Sequence, residues 1–380
     1  MTYWGDELDF SEFMQVVREG MESGIHVGAQ ACVRLDGEVV LDIAMGQARV
    51  PADGDGGASM TPETLMLWLS AGKPITAAAT LMLWERGLLD LEEYVAHYIP
   101  EFAGGGKERI TVRQLLTHTA GVRGLDTAYP FATWEETLAR IYAMKVEREW
   151  IPGMKAGYHI HTTWYVLGEL INRITGRRHD QWIREEFLVP LGMTNTWMAI
   201  DEATYAANGD HMGVLYDTER RDGAPVAPMK NYDTPLAASR SRPSASCRGP
   251  MRELARFYEM MRGGGELDGV HVMKAETVAA MTMRQRVGLF DQTFRNTIDW
   301  GLGVIINSSH YGPGIPYQFG AAASPETFGH GGSQSSTGFC DPRHRLVVAL
   351  LFNGCCGEAA HDRRLRTALA ALYRDLQFES

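Results

Sequence analysis

The chain has 380 residues, 45% hydrophobic and 22% charged, which fits one large globular domain or two closely packed ones. Its 36 basic and 47 acidic residues give a net charge of −11, so we expect neither a nucleic acid nor an anionic membrane as partner. No uncharged apolar run is long enough to span a bilayer. An odd number of cysteines without paired C-x-x-C spacing, and an acidic start unlike a signal peptide, predict a cytoplasmic protein.

Both ends of the chain are predicted to be rich in β-structure. Residues 10–21 have apolar side chains at helical spacing, and the following AQACVRLDGEVVLDIAMG has two β-rich runs joined by Asp36-Gly37, a strong hairpin signal. Near the other end, STGFCDPRHRLVVALLFNG indicates two more strands. Its uninterrupted apolar run, residues 346–352, predicts a central strand covered on both faces, and a last helix is predicted for residues 359–376.

The middle of the chain is predicted to be mainly helical. TTWYVLGELINRITG has one apolar face and ends at Gly176, and MRELARFYEMMRGGG is a second helix with a glycine stop. We therefore predict an α+β fold in which residues 1–72 and 296–380 build an α/β region around an antiparallel sheet. Residues 73–295 form an inserted, mainly helical region, and the cleft between the two regions is the expected location of an active site.

Ser70 and Lys73 are polar interruptions at the start of an apolar helix, LWLSAGKPITAAATLMLWERGLLDL. Their i, i+3 spacing places them on one face, and Pro74 fits only an early helical position. A buried lysine loses its proton easily, because desolvation disfavours the charged form, and the neutral amine can deprotonate a nucleophilic serine. On this motif alone, a serine helix cap beside a snorkelling lysine is the commoner explanation.

Other sequence patterns point away from metal and cofactor chemistry. His159-x-His161 resembles half of a zinc site, but the following aspartate and a partner cluster are missing. GGGKE lacks the residues of a phosphate-binding loop, and no G-x-S-x-G elbow occurs. We expect no metal and no organic cofactor.

Several longer motifs follow the S-x-x-K pair in a fixed order. Through the S-x-x-K pair and these motifs, the chain resembles the serine β-lactamase and penicillin-binding-protein superfamily. It is most similar to the class C-like branch that includes the family VIII carboxylesterases. The resemblance extends over about residues 10–372 and implies the β-lactamase-like fold. It rests on SAGKPITAAATLMLWERGLLDLEEYVAHYIPEF, ITVRQLLTHTAGV, IPGMKAGYHIHTTWYVLGELINRITGR, LVPLGMTNTWM, MRELARFYEMMRGGGELDGVHVM and FGHGGSQSSTGFCDPRHRLVVALLFNG.

The resemblance implies three catalytic residues. Ser70 would be the nucleophile and Lys73 its hydrogen-bonded base. Tyr158 stands where the family has the tyrosine of its Y-x-N motif, and it would pass a proton between the serine and the leaving group. The structural alternative for Tyr158 is an aromatic residue that fills the cleft wall.

The resemblance also implies a strand beside the site, where His330-Gly331-Gly332 replaces the family motif K-T-G. Its glycines would let a substrate lie close to the strand backbone. The backbone N–H groups of Ser70 and Ser333 would form the oxyanion hole. His330 would contact the substrate, or else be a satisfied strand-edge histidine that orients its neighbours.

Two departures from the family pattern bear on the substrate. His330 replaces a permanently charged lysine that helps to bind a substrate carboxylate, and Ile160 replaces the asparagine that meets the amide of a lactam. Both changes weaken recognition of a charged, amide-bearing lactam and favour a neutral ester.

The predicted function is therefore a serine hydrolase, a carboxylesterase of short-chain esters, with a small ester or amide as its only predicted partner and no predicted oligomeric state. One alternative is an amidase, β-lactamase or D-aminopeptidase, which would pair a carboxylate through His330 or Arg242. The others are an acyltransferase with the same residues and a catalytically inactive ligand-binding relative.

Overall fold

The computed structural model describes residues 8–51, 56–219, 226–312, 314–316 and 319–378. The strands are β1 (Gly28–Leu35), β2 (Glu38–Arg49), β3 (Ala58–Ser59), β4 (Met66–Leu67), β5 (Tyr216–Asp217), β6 (Ala227–Pro228), β7 (Arg248–Gly249), β8 (Glu266–Leu267), β9 (Val270–His271), β10 (Phe290–Asp291), β11 (Asn296–Thr297), β12 (Ile305–Ile306), β13 (Phe328–Gly331), β14 (Ser336–Asp341), β15 (Leu346–Phe352) and β16 (Gly354–Cys355).

The α-helices are α1 (Ser11–Glu22), α2 (Lys73–Glu85), α3 (Val95–Tyr98), α4 (Val112–Leu116), α5 (Trp134–Ala143), α6 (Thr162–Thr175), α7 (His179–Ile183), α8 (Glu202–Ala207), α9 (Pro235–Ser239), α10 (Met251–Arg262), α11 (Ala275–Thr282) and α12 (Glu358–Asp375). Among the described residues, no helix is long and apolar enough to cross a bilayer.

One large sheet combines strands from both ends of the chain. Its order is β12-β13-β14-β15-β1-β2-β3, and every neighbouring pair is antiparallel. The predicted α+β fold with an antiparallel sheet is thus confirmed, and most of the helices come from the chain between β3 and β12. The boundaries at residues 72/73 and 295/296 stay a prediction.

The hairpin between β1 and β2 forms at the predicted place. Asp36 and Gly37 have φ values of 55° and 91°, the left-handed backbone that a two-residue turn between right-twisted strands requires. Leu35 pairs directly with Glu38 across this turn.

The central strand β15 is buried on both faces, as its unbroken apolar pattern predicts. Because side chains alternate along a strand, β15 contributes to two separate cores. One core lies between the sheet and the helices α1 and α12, and the other lies between the sheet and the helices α2, α6 and α10. The first core contains Leu346, Val348, Leu350 and Phe352, and the second contains Val347, Ala349 and Leu351.

Helix α2 begins at the second of these cores and is buried over almost its whole length. It packs against α6, which ends at Gly176 with a left-handed φ of 68°, as the sequence predicts. This packing buries the start of α2, where the candidate catalytic residues lie.

Candidate active site

Ser70 lies in a tight turn that leads directly into α2. Residues Leu69–Gly72 form one 3-10 turn, and Pro74 occupies the first turn of the helix. Leu69 has a φ of 52°, a left-handed conformation that costs a non-glycine residue about 1–2 kcal/mol. The turn leaves Ser70 half-buried, whereas Lys73 is fully buried.

Lys73 Nζ has two polar contacts. It lies 3.0 Å from Ser70 Oγ and 2.8 Å from the carbonyl oxygen of Ser244. Neither the turn nor α2 has a side-chain cap, and Lys73 has no exposed surface. A serine cap beside a snorkelling lysine therefore does not describe this pair, and the geometry is that of a hydroxyl next to an amine base.

Burial lowers the pKa of Lys73 well below its ordinary value, and the positive charge of Arg242 lowers it further. A neutral amine has two N–H donors and one lone pair. It can donate to the Ser244 carbonyl while its lone pair accepts the Ser70 hydroxyl proton. This arrangement can pass a proton from Ser70 to Lys73.

Tyr158 is held through its backbone and its ring. Its N–H donates to Asp291 Oδ1 at 3.0 Å, and its carbonyl accepts from Thr293 Oγ1 at 3.0 Å. Its ring stacks on Phe294, with 4.7 Å between the centroids, and Lys73 Nζ lies 5.2 Å from the Tyr158 ring centroid. Tyr158 is therefore beside the predicted base, as the resemblance implies.

The end of β13 packs directly against the turn before Ser70. A Cβ atom at Gly332 would lie 2.3 Å from the carbonyl oxygen of Trp68, so only glycine fits there. Ser336 Oγ donates to the same carbonyl at 2.6 Å. Ser333 follows at once, and its exposed hydroxyl donates to Glu358 Oε1 at 3.0 Å. Because the Ser333 hydroxyl binds Glu358 at the start of α12, the backbone N–H of Ser333 is the group that could donate to an oxyanion.

His330 is buried, and its ring centroid lies 5.9 Å from that of Tyr158. Nδ1 lies 2.8 Å from the carbonyl oxygen of Gly331, so this nitrogen carries the proton, and within the described residues Nε2 has no partner. Burial, reinforced by Lys73, lowers the pKa of His330 to about 3. At neutral pH His330 is uncharged, unlike the lysine that it replaces.

Ile160, two residues after Tyr158, exposes 48% of its surface.

Two polar neighbours of Lys73 were not predicted from the sequence. Ser244 supplies the carbonyl that binds Lys73, and its hydroxyl lies 2.7 Å from Nδ1 of His161. Burial lowers the pKa of His161 well below its ordinary value, with Arg242 as the second cause. In the sequence His161 stands out only through the H-x-H pattern, and Ser244 is 171 residues away from Lys73 in the chain.

A cavity of about 320 Å³ lies apart from these residues, between α5, α6, α7 and the segment after α9. Ser70, Lys73 and Tyr158 do not line it; Tyr129, Trp134, Tyr165, His179, Arg240 and Ser241 do.

The fold and the Ser70–Lys73 pair define the class of this protein. Residues 13–372 match the Beta-lactamase family, so the chain belongs to that family. Together with the names of its relatives, this makes it a serine hydrolase of the β-lactamase fold.

Relatives of the chain include proteins named as esterases. Esterase/beta-lactamase LipL of Mycobacterium tuberculosis is 27% identical over 350 residues, which cover 86% of this chain and 77% of that protein. Esterase EstB of Burkholderia gladioli is 27% identical over 352 residues, 86% of each chain.

Solved structures share the same backbone arrangement. A penicillin-binding protein homolog from Caulobacter crescentus has a TM-score of 0.76 and 27% identity, covering 96% of this chain and 97% of that one. A family VIII carboxylesterase has a TM-score of 0.74 and 25% identity, with the same coverage of 96% and 97%.

Proposed function

We propose that this chain is a carboxylesterase that hydrolyses short-chain carboxylic esters through an acyl-enzyme on Ser70. The observation that carries the proposal is the pair formed by Ser70 and the fully buried Lys73, whose polar atoms lie 3.0 Å apart. The relatives named as esterases support the substrate class. The uncharged His330 and the apolar Ile160 favour an ester over a charged, amide-bearing lactam.

In the acylation step, Ser70 Oγ attacks the carbonyl carbon of the ester while its proton moves to Lys73 Nζ. The carbonyl oxygen becomes an oxyanion, which the backbone N–H groups of Ser70 and Ser333 bind. The intermediate then collapses, and the C–O bond to the alcohol breaks. The alcohol leaves with the proton, which passes from Lys73 through the hydroxyl of Tyr158.

Deacylation repeats these steps with water. The water oxygen attacks the acyl-enzyme carbonyl while Tyr158 and Lys73 take its proton. The bond from the acyl carbon to Ser70 Oγ breaks, Ser70 regains a proton, and the carboxylic acid is released.

The test compares p-nitrophenyl butyrate with nitrocefin, for the wild type and Ser70→Ala. We expect the wild type to hydrolyse the ester, and Ser70→Ala to lose at least about 10³-fold in kcat/KM, because a nucleophile cannot be replaced by a methyl group. Nitrocefin should be a poor substrate. Nitrocefin turnover as fast as ester turnover would contradict the ester assignment, and ester turnover that survives in Ser70→Ala would exclude Ser70 as the nucleophile.

A further inference from the structure

Asp291 is a fully buried carboxylate at the end of β10, next to the tyrosine that passes the proton in the proposed mechanism. Its Oδ1 accepts from the backbone N–H of Tyr158 at 3.0 Å. The same oxygen accepts from the N–H groups of Thr293 at 2.9 Å and Phe294 at 3.0 Å, in the turn that leads into β11. One carboxylate oxygen therefore binds both the Tyr158 backbone and the turn between β10 and β11.

The hairpin formed by β10 and β11 makes further contacts with Tyr158 and the backbone before it. Thr293 Oγ1 donates to the Tyr158 carbonyl at 3.0 Å, and the backbone N–H of Gln292 donates to the carbonyl of Ala156 at 3.0 Å. The Phe294 ring stacks on the Tyr158 ring, with 4.7 Å between the centroids and 28° between the planes. The hairpin thus contacts the Tyr158 N–H, its carbonyl and one face of its ring.

The second oxygen of Asp291 fixes the carboxylate in the core. Oδ2 accepts from Arg286 Nη2 at 3.0 Å, and the two side chains are 0% and 1% exposed. Arg286 also donates to the carbonyl oxygens of Thr117 at 3.2 Å and Ile298 at 3.0 Å. A buried charge is costly unless it is paired and hydrogen-bonded, and both conditions are met here. Asp291 is therefore held in place independently of its contact with Tyr158.

We propose that Asp291 is a positioning residue that sets how well Tyr158 delivers a proton to the leaving group, and hence which alcohols the enzyme releases. This inference rests on the proposed esterase function. Proton transfer requires the Tyr158 hydroxyl to lie within hydrogen-bond distance of the leaving oxygen, and a displacement of about 1 Å can lower the rate about 100-fold. Asp291 acts through the backbone of Tyr158 and takes no proton itself.

The alcohol part of the ester determines how much this positioning matters. Ethoxide is a strong base, so ethanol leaves only when Tyr158 protonates the oxygen as its bond to the acyl carbon breaks. p-Nitrophenolate is a weak base and leaves as the anion, without a proton from Tyr158. A displaced Tyr158 should therefore slow the release of ethanol much more than that of p-nitrophenolate. The ratio of kcat/KM for the two esters measures this difference in the acylation step.

The test measures kcat/KM for ethyl butyrate and p-nitrophenyl butyrate in the wild type, Asp291→Ala and the matched control Asp341→Ala. Asp341 is an equally buried carboxylate at the end of β14, which accepts from the N–H and the hydroxyl of Ser324 at 2.8 and 2.6 Å. We expect Asp291→Ala to lower the ratio of ethyl to p-nitrophenyl ester kcat/KM by about 10- to 100-fold, and Asp341→Ala to keep it. An unchanged ratio in Asp291→Ala would overturn the proposal.

A double variant tests whether Asp291 acts through Tyr158. Tyr158→Phe should also lower the ratio, and adding Asp291→Ala to it should lower the ratio no further. A second loss as large as that in Asp291→Ala alone would overturn the proposal. Asp291→Glu covers the case in which Asp291→Ala does not fold. It keeps a charge for Arg286 but moves the oxygen by one methylene group, so it should also lower the ratio, and an unchanged ratio would contradict the positioning role.

Fluorine NMR separates this inference from the proposed function. In protein labelled with fluorotyrosine, the resonance of Tyr158 is the one that is lost in Tyr158→Phe. We expect Asp291→Ala to shift this resonance, because the ring moves relative to Phe294, and Asp341→Ala to leave it in place. A wild type that hydrolyses neither ester but shows this response would contradict the esterase function and support the positioning by Asp291. A Tyr158 resonance that is the same in the wild type and Asp291→Ala would overturn the proposal whatever the activities.

Discussion

Two lysines among the described residues, Lys73 and Lys107, are fully buried, and their surroundings differ. Lys107 Nζ donates to three backbone carbonyls: Gly104 at 2.8 Å, Tyr142 at 3.1 Å, and Met144. Lys73 Nζ contacts one carbonyl, that of Ser244, and the hydroxyl of Ser70. An ammonium group has three N–H donors, so the Lys107 site fits the charged form, whereas the Lys73 site fits a neutral amine.

Charges near the two lysines reinforce this difference. Burial lowers the pKa of both groups, but Glu108 opposes the decrease at Lys107, whereas Arg242 increases it at Lys73. Burial alone therefore does not make a lysine into a base. The number of carbonyl acceptors and the sign of the neighbouring charge both favour the charged form at Lys107 and the neutral form at Lys73.

The largest expected effect comes from replacing each lysine by methionine. Lys73→Met should lower kcat/KM for p-nitrophenyl butyrate by about 10³-fold, because it removes the general base. Lys107→Met should keep kcat/KM within about threefold but lower the free energy of unfolding by at least about 2 kcal/mol, because three carbonyls lose their donor. Ester hydrolysis and urea unfolding of both variants measure these changes. A Lys107→Met protein that is folded but inactive would contradict the comparison.

A smaller effect is expected when the cation beside Lys73 is removed. Without Arg242 the pKa of Lys73 should rise, so the acidic limb of the pH profile of kcat/KM for a neutral ester should move to higher pH in Arg242→Met. Arg240→Met is the control, and its profile should match the wild type. Coincident profiles for all three proteins would show that Arg242 does not act on the base.

Local patterns predicted much of the fold. The Asp36-Gly37 turn, the β15 strand and the end of α6 at Gly176 all depend on residues that are close in the chain, and each lies where it was predicted. The Ser70–Lys73 spacing is also local, and the resemblance to a known family added Tyr158 and the β13 residues to the candidate site.

The rest of the site depends on contacts that no local pattern contains. The Ser244 carbonyl reaches Lys73 across 171 residues of sequence, and only the packing of the whole chain brings the two together. Residue 69 has a left-handed backbone conformation, but because it is a leucine and not a glycine, the sequence does not indicate this. Lys107 lies in the GGGKE segment, which does not match a phosphate-binding loop and carries no other functional pattern. Two of the three carbonyls that accept from its amine lie 35 and 37 residues further along the chain.

The smallest expected effect is a difference in how stability depends on pH. The folded-state pKa of Lys73 is lowered, whereas an unfolded lysine has a pKa of about 10.4, so between these two values the unfolded chain binds more protons than the folded one. Stability must then rise with pH in this window, by at most about 1.4 kcal/mol per pH unit for one group. The free energy of unfolding of the wild type, relative to Lys73→Met, should therefore increase from pH 7 to pH 9 in urea titrations. The same comparison with Lys107→Met should give a shallower increase, because Glu108 opposes the shift at Lys107. Parallel curves for the wild type and Lys73→Met would mean that Lys73 keeps an ordinary pKa, and a lysine that stays protonated at pH 7 could not deprotonate Ser70.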